Sequence, residues 1–160
     1  MEMRLIVYFR TRSEKKRSDM EETMRDDSCI FCKIANGEIP SKTLYEDERF
    51  RVILDLGPMA KGHALLLPKE HFADLYELPD DWAADAMKLA KRMAVRLRGS
   101  LRADGLNIMQ NNGAAAGQTI FHFHIHLIPR YQNDGHTMGW AAGEASDEEL
   151  TAVQKQVVGA

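Results

Sequence analysis

The sequence predicts an α+β fold: an antiparallel sheet of about five strands, one long helix and a short N-terminal helix. Three observations lead there. Short apolar runs bounded by Gly and Pro outnumber helical stretches. Only one segment, Trp82 to Leu97, has a clear helical period. That segment does not alternate with strands, as a parallel sheet would require. The 160 residues, 44% apolar and 28% charged, suit one core rather than two.

The elements follow in order. Residues 1–27 carry the short apolar run Leu5 to Phe9, the basic run Arg10 to Arg17 and a mixed acidic stretch through Asp27. They offer no apolar face, so they predict a charged, flexible arm. The domain, with its C-terminal tail, is residues 28–160. Ser28 can cap a short helix through Ile34, and Gly37 supplies its stop. Thr43–Tyr45 and Phe50–Leu56 read as strands, followed by the Gly57-Pro58 turn. His63–Leu67 is the next strand, ended by Pro68. In the long helix Trp82, Ala86, Leu89, Met93 and Leu97 form one apolar stripe, and Gly99 follows it. Leu106–Gln110 is a strand and Asn111–Gly117 a small-residue loop. Phe121–Ile128 is the last strand, stopped by Pro129. Beyond it come Arg130 (a surface or interface cation), a turn with His136 and Trp140, and a helix from Asp147 to Val158.

Several function classes are excluded as expectations. A net charge of −3 gives no sign of a nucleic-acid binder. No apolar run approaches the ~18 residues of a membrane span, and Leu5–Phe9 is too short for a signal-peptide core. Two cysteines three positions apart make no disulfide scaffold. These features predict a cytoplasmic protein.

The segment His122-Phe-His-Ile-His-Leu-Ile128 carries the chemistry. Side chains alternate across a strand, so His122, His124 and His126 share a face, with neighbours about 6.5–7 Å apart. Phe121, Phe123, Ile125 and Leu127 point to the core. Three alternating imidazoles are hard to explain by packing. They can hold one metal ion. They can also do phosphate chemistry, because neutral imidazole is a nucleophile and a neighbouring ring can donate a proton. The preceding loop, Gly113 to Gly117 with Gln118 and Thr119, favours phosphate: small residues, backbone N–H groups and short polar side chains can cradle an anion.

Gly117-Gln118-Thr119, the His-φ-His-φ-His-φ-φ strand (φ apolar) and Pro129-Arg130 together resemble the histidine triad (HIT) family, in its Hint-type or bacterial branch. Cys29-Ile-Phe-Cys32, Gly37-Glu-Ile-Pro40, Leu54-Asp55 and Gly62-His63 through His71 extend the resemblance over about residues 28–131. It implies a homodimer that binds purine nucleotides and cleaves at the α-phosphate through a nucleotidyl-histidine intermediate. His124 matches the nucleophile and His126 the third triad histidine. His63 matches a residue that orients them, and Gln118 and Thr119 match residues near the phosphate and leaving group. Asp55, with Leu56 beside it, matches the ribose subsite, and Asn111 and Gly117 the edge of the phosphate site. Phe31, Ile34 and Ile53 match the base pocket. The resemblance also implies a structural zinc on Cys29, Cys32, His71 and His122, and no catalytic metal. Nucleoside phosphoramidates are the expected substrates. Dinucleoside polyphosphate hydrolysis, nucleotide-binding regulation with incidental hydrolysis, and a single metal on all three triad histidines stay open.

Overall fold

The apolar runs become five strands: β1 (Thr43–Glu46), β2 (Phe50–Leu54), β3 (Ala64–Pro68), β4 (Gly105–Met109) and β5 (Ile125–Arg130). Among the described residues three α-helices accompany them: α1 (Ile30–Ala35), α2 (Asp80–Leu101) and α3 (Asp147–Val158). The computed structural model describes residues 25–137, 139 and 142–159. Most of the predicted arm, and Trp140, lie outside the described residues. Every strand pair is antiparallel, in the order β1-β2-β3-β5-β4, so the predicted α+β class holds.

The pleat sends alternate residues to two cores. Phe50, Val52, Leu66, Ile125 and Leu127 face the apolar stripe of α2, where Ala86, Leu89, Met93 and Leu97 are buried. Ile53, Leu65 and Leu67 face α1 through Phe31 and Ala35. All five residues of β3 are buried, as expected of a strand covered on both faces. Trp82 closes the α2 side, edge-on to Phe50 and Phe72, with the Arg49 guanidinium 4.0 Å over its ring. The third helix is held by a capping box between Ser146 and Glu149 and buries none of its residues.

Several boundaries differ from expectation. Ser28 does not cap α1; its hydroxyl donates to Asp26 Oδ1 at 2.6 Å, and Cys29 takes the N-cap position without a side-chain bond. Helix α2 runs through Gly99 to Leu101, because Leu101 continues the apolar stripe one turn past Leu97. It ends only where Arg102 turns left-handed at φ 55°. Strand β2 stops at Leu54, and Asp55 then accepts the Gly57 N–H at 2.9 Å in a local turn. Phe121 is exposed, not in the core. Strand β5 starts at Ile125 and runs on through Pro129, which β4 pairs opposite Leu106 after the β3 ladder has ended at Leu127. Arg130 donates to Asp134 through two nitrogens and to Asn107.

The late start of β5 has a physical cause. Continuing the β3–β5 register would set Phe123 against Pro68, which has no N–H to give. The Phe123 N–H instead bonds Phe72 O at 2.6 Å. The Pro68 carbonyl accepts from the His122 ring at 3.0 Å. His122 and His124 therefore precede the strand, and only His126 lies within it.

Gly62 sits at φ +86°, and a Cβ there would come within 2.2 Å of Leu101 Cδ1. Gly62→Ala combines left-handed strain with overpacking, so we expect a loss of about 2–4 kcal/mol in urea unfolding. Wild-type stability in that variant would refute the assignment of Gly62 to this close approach.

Candidate functional site

The α1 face of the sheet carries a cavity of about 510 Å³. Its apolar end is formed by Phe31, Ile34, Ile39, Pro40 and Ile53, and its polar end by Asp55, Asn111, Thr119, His124 and His126. The structure thus brings residues from α1, β2, β5 and the loop after β4 to one place. Leu56 and Gly117 also line it, Leu56 at the rim, almost fully exposed. Gly117 turns at φ +84°, where a Cβ would lie 3.8 Å from Asn111 Nδ2. Gln118 does not line the cavity. It is buried, its Oε1 accepts from Gly113 N at 2.7 Å, and its Nε2 donates to Ala73 O and Ile120 O. These bonds tie the loop after β4 to Ala73 and to Ile120.

Hydrogen-bond partners fix the tautomers of the buried imidazoles. A carbonyl oxygen only accepts and a backbone N–H only donates. His124 Nδ1 lies 2.6 Å from the carbonyl of His122, so Nδ1 carries the proton and Nε2 keeps a bare lone pair. His63 Nδ1 accepts from Met59 N–H at 3.1 Å, so its Nε2 carries the proton. That proton is donated to His126 Nδ1 at 2.9 Å, which leaves His126 Nε2–H as a donor. The His124 and His126 rings pack edge to face with centroids 4.9 Å apart. One nucleophilic nitrogen and one donor therefore stand side by side.

Burial keeps these rings neutral. It lowers His63 and His124, although the Asp55 carboxylate opposes it for both, and the His122 carbonyl also does for His124. Burial, with His124 and His63 adding to it, takes His126 down to about 4. Below pH 6.5 the unfolded chain protonates at position 126 while the folded chain does not. His126 therefore makes stability fall as pH drops from 6.5 towards about 4. With zinc in excess at each pH, the urea midpoint of wild type should fall more steeply across that window than that of His126→Gln. Parallel curves would refute this.

The second cluster lies behind the cavity. One ligand atom each from Cys29, Cys32, His71 and His122 all fall within 4.8 Å of one another. Cys32 Sγ is 3.4 Å from His71 Nδ1 and 3.5 Å from His122 Nδ1, and Cys29 Sγ is 3.5 Å from His122 Nδ1. Bonds of about 2.3 Å to sulfur and 2.0–2.1 Å to nitrogen, at a tetrahedral angle, set these atoms about 3.5 Å apart. His122 donates Nε2–H to Pro68 O, which frees Nδ1 to ligate and supplies the usual outer-shell support. Two sulfurs and two imidazoles at this spacing fit zinc. Without a cation, burial pushes the Cys32 thiol up to about 11.

Asp55, His63 and His126 also bring ligand atoms together. They fail the tautomer test: His63 Nε2 holds a proton and has no lone pair to give. Nor is a single metal built on the three triad histidines, because His122 turns to the cysteines, away from His126. The outer-shell residues Met59 and Pro68, which set these tautomers through the backbone, had no side-chain signal in the sequence. His136 lies outside the site and is exposed.

Residues 36–133 match the HIT domain model. The chain is 42% identical over 134 residues to adenosine 5′-monophosphoramidase HNT1 of Saccharomyces cerevisiae, covering 83% of this chain and 82% of that protein. The crystal structure of SMU.412c from Streptococcus mutans superposes with a TM-score of 0.82 at 36% identity, covering 86% of this chain and 87% of that one. A zinc-bound histidine triad protein from Mycobacterium smegmatis superposes with a TM-score of 0.65 at 38% identity, covering 82% and 96%.

Proposed function

The chain belongs to the HIT family, and from that premise we propose that it hydrolyses nucleoside phosphoramidates at the α-phosphate, with purine nucleotides as its substrates. The observation that carries the proposal is the His124 tautomer, which presents an unprotonated Nε2 in a nucleotide-sized cavity. The yeast phosphoramidase relative supports the leaving group.

The base sits among Phe31, Ile34 and Ile53. Asp55, whose Oδ1 is held by the Gly57 N–H, accepts from the ribose hydroxyls. The phosphate lies between His124 and the Asn111–Thr119 loop. His124 Nε2 attacks phosphorus, and the P–N bond breaks with its electron pair leaving on nitrogen. His126 Nε2–H stands beside the reacting centre and gives its proton to that nitrogen, which leaves as the amine. The nucleotidyl-imidazolium that forms keeps its Nδ1–H on the His122 carbonyl, which stabilises the new positive charge. Water then attacks phosphorus and passes a proton back to His126 Nε2, which releases AMP and returns His124 to its neutral form. A neutral ring suits this role, since a carboxylate would be repelled by the phosphate oxygens.

Zinc on Cys29, Cys32, His71 and His122 completes the reading; bound there it supplies a closed structural cross-link, with no open position for substrate. A homodimer belongs to it too, and β4 is an edge strand with Ile108 exposed. No helix among the described residues is long and apolar enough to cross a membrane.

The test is AMP release from adenosine 5′-phosphoramidate, compared with diadenosine polyphosphates and with the uridine phosphoramidate. We expect the adenosine phosphoramidate to turn over with the highest kcat/KM. Faster cleavage of the polyphosphate would overturn the leaving-group assignment, and equal use of the uridine compound would overturn the purine assignment.

A further inference from the structure

One residue belongs to both clusters. The His122 side chain faces Cys29, Cys32 and His71, while its backbone carbonyl holds His124 Nδ1–H at 2.6 Å. We propose that His122 is a positioning residue through which metal occupancy of the cysteine–histidine cluster sets the tautomer and aim of the His124 nucleophile. The inference rests on the phosphoramidase reading for its kinetic half only.

The contact chain is short. His122 is fully buried and is fixed at three points: Nδ1 against both sulfurs, Nε2 on Pro68 O, and the backbone N–H on Ile120 O at 2.9 Å. It sits just ahead of β5, where no strand ladder holds the backbone. The orientation of its carbonyl is set by its side chain and by the Phe123 N–H of the same planar peptide unit, which bonds Phe72 O next to His71 of the cluster. With four ligands drawn to one ion, that carbonyl points at His124 Nδ1. Without the ion, two thiols and two imidazoles lose their common partner, and Cys32 and His122 have only weak mutual contacts at 3.5 Å. The two anchors of the 122–123 peptide, the His122 ring and Phe72 beside His71, then lose the ion that ties them together; its carbonyl can turn from His124, and His124 can take the other tautomer, which puts the proton on Nε2 and removes the nucleophile. The cluster thus acts on kcat from outside the cavity, which His122 does not line.

The test uses the full chain. In zinc-loaded protein, ¹H–¹⁵N spectra of the imidazoles should show a protected His124 Nδ1–H, assigned by its loss in His124→Gln. Chelation, or His71→Gln, should weaken or abolish that signal and lower kcat about ten- to a hundredfold, with little change in AMP affinity. His71→Cys keeps a four-ligand zinc set and should restore both signal and kcat. Cadmium, a larger ion, tests the same link in protein that stays folded: it should shift the His124 signal and leave that of His136 in place. An unchanged His124 signal under cadmium, or unchanged kcat in folded metal-free protein, overturns the proposal. If the signal follows the metal but no AMP is released by loaded wild type, the coupling stands and the phosphoramidase reading fails.

Discussion

His124→Ala is expected to lower kcat for AMP release from adenosine 5′-phosphoramidate by about 10⁴-fold or more, with AMP affinity retained. The size follows from what is lost. Only His124 presents a bare imidazole nitrogen to the cavity; His126 and His63 both hold their Nε2 protons. Neither can substitute, so the reaction falls back to water with the site's remaining electrostatics. The ring also fills space beside Phe31, at 5.1 Å between centroids, so truncation should cost about 1–3 kcal/mol of stability. His124→Gln keeps most of the volume and should be as inactive while better folded. His126→Ala should lose less, about 10²–10⁴-fold, as befits a proton donor. Rapid acid-free quenching and intact-mass measurement should find a nucleotidyl adduct in wild type and none in either His124 variant. A His124→Ala enzyme with a tenth of wild-type kcat would sink the nucleophile assignment.

Removing the metal should produce the largest stability effect. With zinc about 1,000-fold above its Kd, binding adds about 4 kcal/mol to the folded state. In a domain of this size that corresponds to a Tm shift of about 10–15 °C. Chelator should therefore lower the wild-type Tm by about that amount, and added zinc should restore it. Cys32→Ala should start near the chelated value and gain nothing from zinc. The protein should stay folded when stripped, because the larger core between the sheet and α2 contains none of the four ligands. A wild-type Tm indifferent to both chelator and zinc would show that the four side chains hold no metal.

The helical period of Trp82–Leu97 and the short strand runs were legible because each is a local pattern of burial. The exact ends were not. Gly99 reads as a stop, yet Leu101 finds a place on the core and carries the helix past it. Phe121 reads as core, yet the strand it should belong to begins four residues later, because Pro68 on the neighbouring strand has no N–H to continue the ladder. That information sits 53 residues away in the chain. The candidate site shows the same division. His124, His126, Asp55 and Asn111 line one cavity, whereas Gln118, whose side chain suggests a ligand contact, is engaged on Gly113, Ala73 and Ile120.

By itself the sequence determined the α+β class, the HIT family, the histidine row and the presence of two cysteines and one further histidine, His71, that with His122 suit a metal. These are matters of residue type and spacing along the chain. The family resemblance implied how the three alternating histidines divide, and the tertiary structure has His122 turned to the cysteines and His124 and His126 to the cavity. Only the tertiary structure decided which ring nitrogen holds a proton. The physical reason is that a tautomer is set by the groups facing the ring. Those groups are backbone atoms of Met59, Pro68 and His122, whose placement against the rings is set by how the chain folds.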